Sequence, residues 1–100
     1  MANELLFKGD IGKSISQTTG IDWTGNTAKQ VKIKKPAGTT VTYTGSNVVV
    51  DDAATGQIHI VTATGDLSET GEYLFQAKVT ISGVELYGPV MGFSVEEVLT

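Results

Sequence analysis

The sequence contains no cysteine and no arginine, and only one histidine, one tryptophan and two prolines in 100 residues. Each scarcity excludes something. Without cysteine there can be no disulfide, no thiolate zinc site and no cysteine nucleophile. Without arginine, and with a formal net charge of −4, the chain lacks the basic surface and the guanidinium forks on which nucleic-acid binders rely. No nucleic-acid partner is expected. No segment approaches the length of a membrane span, and the opening "MANELLFKGD" carries Glu4 and Asp10 around a three-residue apolar run, Leu5 to Phe7. That is not the pattern of a secretory leader, so the expected place of synthesis and residence is the cytoplasm, without membrane contact.

What is abundant is glycine, with 12 residues, set among short runs of Val, Ile, Thr and Tyr. The turns "KGDIG", "TTGID", "TGN", "PAGT", "TGSN", "ATGQ", "TGDLSETG" and "ISGV" divide the chain at short intervals. Short β-favouring runs between turn signals predict an all-β chain. No window holds an apolar period of 3.6 residues, so no long helix is expected. At this length and with 40% hydrophobic residues, the prediction is one domain over 1–100.

The predicted strands cover 3–8, 12–18, 28–35, 39–44, 47–51, 57–62, 72–81 and 84–95, with Gly88-Pro89 interrupting the last as a bulge or kink. In the third, Val31 and Ile33 alternate with Lys32 and Lys34; in the fourth, Val41 and Tyr43 alternate with Thr40, Thr42 and Thr44. These read as a hairpin buried on one face and wet on the other. Ser82-Gly83 closes a second tight hairpin. In "LSETGEYLFQAKVTI", Tyr73, Phe75, Ala77, Val79 and Ile81 share one strand face. A tyrosine two residues past a glycine, after a compact corner, is the signature of the corner before strand F in immunoglobulin-like sandwiches, where its hydroxyl bonds back to upstream backbone. The fold class expected is therefore an immunoglobulin-like antiparallel β-sandwich of about seven to eight strands. The antibody cysteine pair is absent, and Trp23, in "GIDWTGN", reads as a loop residue.

Reactive groups are hard to find. His59 alternates with Ile58 and Ile60 in "QIHIVT" and points outward, with no nucleophile pattern beside it. The acids at Asp51-Asp52, at Asp66, Glu69 and Glu72, and at Glu96-Glu97 lack the short fixed spacing of a calcium loop. "GDIGKS" has the Gly-Lys-Ser of a phosphate loop, but Phe7 stands where the first glycine belongs. No catalytic residue, metal site or cofactor is expected, and the chain is not read as an enzyme. The most notable surface feature is the group Lys29, Lys32, Lys34 and Lys35. Residues 1–35 hold six lysines against three acids, and residues 36–100 hold Lys78 against eight acids. Lysines on such a strand either discourage unwanted strand addition or form a docking patch for an acidic partner.

The segments "ELLFKGDIGKSI", "GIDWTGNTAKQVKIKKPAGT", "ATGQIHIVTATGDLSETGEYLFQAKVT" and "GPVMGFSVEEVL", in that order, resemble the small immunoglobulin-like domains of tailed-phage structural proteins. The resemblance is to the N-terminal region of the phage baseplate upper protein family. It rests on a "G-D-x-G" opening, a "K-P-x-G-T" hairpin, a late "G-x-Y" strand and a closing "F-x-V". It implies a phage or prophage virion protein of tail or baseplate type, made in the host cytoplasm and then part of the virion. It further implies docking to other phage structural proteins, with a homo-oligomer within the particle as one arrangement, and no active site. The alternative is an adhesion or carbohydrate-binding β-sandwich module. Against it stand the leader-free opening and the shortage of aromatics for a sugar platform, for which only Trp23, Tyr43 and Tyr87 could serve.

Overall fold

Alternation of apolar and polar side chains needs two partners to bury one face, and the chain provides both as sheets. In the computed structural model, which describes residues 6–98, the strands are β1 (Leu6–Phe7), β2 (Ser14–Thr18), β3 (Asn26–Lys34), β4 (Thr40–Thr44), β5 (Val49–Asp52), β6 (Gln57–Val61), β7 (Gly71–Ile81), β8 (Val84–Tyr87) and β9 (Met91–Glu96). A single 3-10 turn, Gly45–Asn47, lies between β4 and β5. The larger sheet has the order β1-β9-β7-β3-β4, with β8 also on β7; the smaller is β2-β6-β5.

The strands β8 and β9 are two halves of one strand. β9 pairs with Gly71–Phe75 of β7 and β8 with Lys78–Ile81. Because β3 occupies the other side of β7 from Leu74 to Ile81, both halves share one edge. Between the pairs Lys78–Tyr87 and Phe75–Met91, two residues of β7 face three of the last strand. That one-residue slip is a bulge at Gly88–Pro89–Val90, as the proline predicts. Gly88 N–H still reaches Ala77 O at 2.9 Å, and the Gln76 and Gln17 side-chain amides donate to the carbonyls of Gly88 and Pro89.

With β2 to β7 taken as strands B, C, C′, D, E and F, and β8–β9 as G, the sheets read B-E-D and G-F-C-C′. This is the arrangement of an immunoglobulin-like sandwich. One pairing departs from the expected antiparallel scheme: β1 runs parallel to β9, Leu6 opposite Val95. Other differences are local. The third strand begins two residues early, with a bulge between Asn26 and Ala28, the second begins at Ser14, and the fifth waits for the 3-10 turn. Residues 3–5 of the first predicted strand lie outside the described residues.

The core is the inward row of every long strand. Ile15, Val31, Ile33, Ile58, Ile60, Tyr73, Phe75, Ala77, Val79 and Val95 are buried between the sheets. Three residues outside the strands join them: Trp23, Val48 and Leu67. Trp23 is thus a loop residue by backbone and a core residue by side chain, the largest that is fully buried. Burying an indole requires a partner for its N–H, and Thr19 Oγ1 accepts it at 3.1 Å. Tyr73 stacks on Phe93, ring centroids 5.2 Å apart. Its hydroxyl donates to Glu69 O at 2.8 Å and accepts from Glu69 N–H at 3.0 Å, which completes the expected tyrosine corner.

Candidate interaction face

The outward row of the larger sheet collects the side chains that the core alternation leaves over. Register sets Lys32 opposite Gln76 and Lys34 opposite Leu74 across β3 and β7, and Lys78 opposite Tyr87 across β7 and β8. The bulge at Gly88–Val90 brings Val90 to the same face, where it lines a shallow depression with Lys32, Lys34, Thr40, Leu74 and Gln76. A second depression beside it is lined by Gln30, Lys32, Gln76, Lys78 and Tyr87. Leu74 is 44% exposed, Val90 59% and Tyr87 60%. The face therefore consists of three exposed apolar side chains between three ammonium groups. One of these, Lys78, is drawn to Glu85 at 3.2 Å.

Of the four lysines singled out in the sequence, the structure brings Lys32 and Lys34 together on this face. Lys29 falls on the opposite alternation of β3, in phase with buried Val31 and Ile33, and Lys35 lies just past the end of the strand. Lys35 is engaged locally: its ammonium donates to Gly65 O and to Ser68 Oγ, both at 2.8 Å. It ties the turn before β4 to the corner before β7. Lys78, Leu74 and Val90 were not singled out, and Tyr87 only as a candidate sugar-platform aromatic. Strand pairing, which the sequence does not state, is what makes them neighbours of Lys32 and Lys34.

The carboxylates are mostly engaged in turns. Asp52 accepts from Ala54 N–H at 3.1 Å, as a turn aspartate does. Asp66 accepts from Ala63 N–H and from the Tyr43 hydroxyl. Glu69 accepts from Ala37 N–H at 3.0 Å, and Glu72 from the Ser94 hydroxyl at 2.8 Å. Among the described residues no three His, Asp or Glu side chains converge as a metal would need. Burial, together with the hydrogen bond to Asp66 and its charge, pushes the Tyr43 phenol well above its ordinary value.

His59 does point away from the core, but it is half-buried and has a partner that sequence reading missed: Nδ1 lies 2.7 Å from Asp51 Oδ2. The pair crosses from β6 to β5 on the outer face of the smaller sheet. Ser16 stands opposite His59 on β2. Three such residue types in a row suggest acyl transfer, which also needs N–H donors converging on a developing oxyanion. In a strand ladder, N–H groups lie in the plane of the sheet, not above it. The row is better described as a cross-strand polar pair next to a serine.

The sugar-platform alternative proposed Trp23, Tyr43 and Tyr87. Trp23 and Tyr43 are core residues, and Tyr87 alone is on the surface. Comparisons with protein-family models, with curated proteins and with solved structures found no significant match.

Proposed function

We propose that this chain is a structural docking domain of phage-tail or baseplate type, which works by binding an acidic surface of another structural protein. The observation that carries the reading is the outward face of the larger sheet. There Leu74, Tyr87 and Val90 stand exposed between Lys32, Lys34 and Lys78. An apolar centre with a charged rim is how protein interfaces are built, and ammonium groups at the rim steer an acidic partner into register. The resemblance of its turn motifs to those of the phage baseplate upper protein family suggests the kind of assembly. In this reading the domain needs no reactive group; its surface does the work.

The test is peptide mass spectrometry on gradient-purified particles from the source phage or induced prophage. The protein is expected in intact particles at a fixed ratio to the tail proteins. Abundance in the lysate with absence from particles would overturn the structural role. The double substitution Lys32→Glu and Lys34→Glu should leave the circular dichroism spectrum unchanged, because both side chains are exposed, while incorporation falls at least tenfold. Unchanged incorporation would remove the lysines from the interface.

A further inference from the structure

The larger sheet ends at β4, which pairs with β3 on one side only. Proteins normally protect such an edge with charge, proline, a bulge or extreme brevity. At one edge of the smaller sheet that rule is followed: β5 carries Asp51 and Asp52 and is bulged between Val50 and Asp52. The strand β4 has none of these devices. It is Thr-Val-Thr-Tyr-Thr, five residues of high β-propensity without a charge. It pairs with β3 in unbroken register from Thr40–Lys34 to Thr44–Gln30.

The phase of its free hydrogen-bonding groups follows from the turn. Lys35 N–H donates to Thr39 O at 2.8 Å, so Lys35 and Thr39 form a hydrogen-bonded pair. In an antiparallel ladder such pairs alternate with non-bonded ones. Val41 and Tyr43 therefore bond to Ile33 and Val31, while the N–H and C=O groups of Thr40 and Thr42 and the N–H of Thr44 point to the open edge, the Thr44 carbonyl being taken by the 3-10 turn that it caps. The strand is also nearly palindromic about Thr42. An antiparallel copy on a two-fold axis there sets Thr42 against Thr42, Thr40 against Thr44, and Val41 against Tyr43. The three threonine pairs fall in the bonded phase, giving about four inter-chain hydrogen bonds. Threonine–threonine and aromatic–branched pairs are both favourable across strands.

We infer that β4 is a self-association edge, through which two copies of this chain join their larger sheets across a two-fold axis at Thr42. The occupant is a second copy and not an unrelated peptide, because the pairing is self-complementary in side chain and in hydrogen-bond phase, as an isologous contact requires. The acidic, bulged β5 keeps the smaller sheets from pairing through that edge. The inference is independent of the docking reading, although the dimer would set two copies of the lysine face on one continuous surface. The two β3 strands are then separated by three strand spacings, about 14 Å. That exceeds the screening length of about 8 Å at physiological salt, so association should tighten as salt is raised from low values.

The contact is smaller than a standard interface, and the dimer is accordingly concentration-dependent. Sedimentation equilibrium from micromolar to millimolar chain should show a monomer–dimer equilibrium that shifts towards dimer with salt. Thr42→Lys, at an exposed position, places two ammonium groups on the axis and should leave only monomer with the thermal midpoint unchanged. Independently, Thr42→Cys introduces the sole thiol of the chain at a bonded pair whose spacing suits a disulfide. It should oxidise to a covalent dimer at least tenfold faster than Val61→Cys, on the outer face of the smaller sheet. A wild-type chain that stays monomeric at millimolar concentration would refute the inference. So would a dimer that survives Thr42→Lys, or equal oxidation rates for the two cysteine variants.

Discussion

Thr19 Oγ1 accepts the indole N–H of Trp23 at 3.1 Å and donates to Gly56 O at 3.0 Å, and the Thr19 N–H donates to the same carbonyl. This node joins the end of β2, the tryptophan loop and the turn before β6, and it leaves no room for a side chain at residue 56. A Cβ there would lie 2.1 Å from Thr19 Oγ1 and 2.3 Å from Ile21 O, on backbone already at φ +72°. Gly56→Ala must combine left-handed strain with overpacking and is expected to cost about 2–5 kcal/mol, read from urea denaturation. A loss within experimental error would show that the Thr19 loop yields freely. At Tyr73 the expected cost is smaller. Tyr73→Phe removes two hydrogen bonds to one residue of the corner, about 1–2 kcal/mol, and an unchanged denaturation midpoint would mean the corner holds without them. Tyr73 was legible in the sequence because strand alternation fixes where its side chain points. Trp23 was not, because no period governs a loop; tertiary contacts, its indole to Thr19 Oγ1 and its N–H to Ala53 O, hold it inward.

At the scale of elements, every predicted strand within the described residues has a counterpart, because period-two patterning marks a half-buried strand wherever it occurs. Pairing was the part that the pattern left open, and it decided the surface. The lysines of β3 split between two faces, and Leu74, Lys78 and Tyr87 joined two of them from distant sequence positions. Turn chemistry was legible as turns but not as contacts. The segment before β4 packs on the corner before β7 through Lys35, through the Glu69 carboxylate on Ala37 N–H, and through Pro36 against Gly71. The β7–β8 hairpin carries a residual strain that can be relieved. Its two turn residues are both left-handed, Ser82 at φ 52° and Gly83 at φ 79°, as a type I′ turn requires. Serine is poorly suited to that conformation and asparagine well suited. Ser82→Asn is expected to stabilise the protein by about 0.5–1 kcal/mol, seen as a higher urea midpoint. A lower midpoint would show that the Ser82 side chain contributes something that the turn geometry does not reveal.

For the whole molecule, 49 × 24 × 21 Å along its principal axes, one of the links between segments distant in sequence is ionisable. Tyr43 on β4 donates to Asp66 in the connection from β6 to β7, so the edge strand of the larger sheet is fastened to a loop that comes from the smaller one. In the folded chain the Tyr43 phenol is pushed up from an ordinary value of 10.0, first by burial and then by the hydrogen bond and the negative charge of Asp66. Burial raises Tyr73 as well, in part offset by its bond to Glu69. The sign follows from linkage. A group whose folded pKa lies above its unfolded value binds its proton more tightly in the native state. Its contribution is complete below the unfolded pKa and is lost as pH rises beyond it. Stability should therefore be insensitive to these phenols below about pH 10 and should fall steeply above it. Ionising Tyr43 would also set a phenolate against the Asp66 carboxylate in a desolvated site. Tyr43→Phe separates the two effects. At neutral pH it should lower stability by about 1.5–3 kcal/mol, the range for a hydrogen bond to a charged group. Above pH 10 it should flatten the decline, so that the curves of variant and wild type converge. Urea midpoints measured from pH 7 upward test this directly, and parallel curves across the alkaline range would show that Tyr43 stays protonated until some other group has already unfolded the chain.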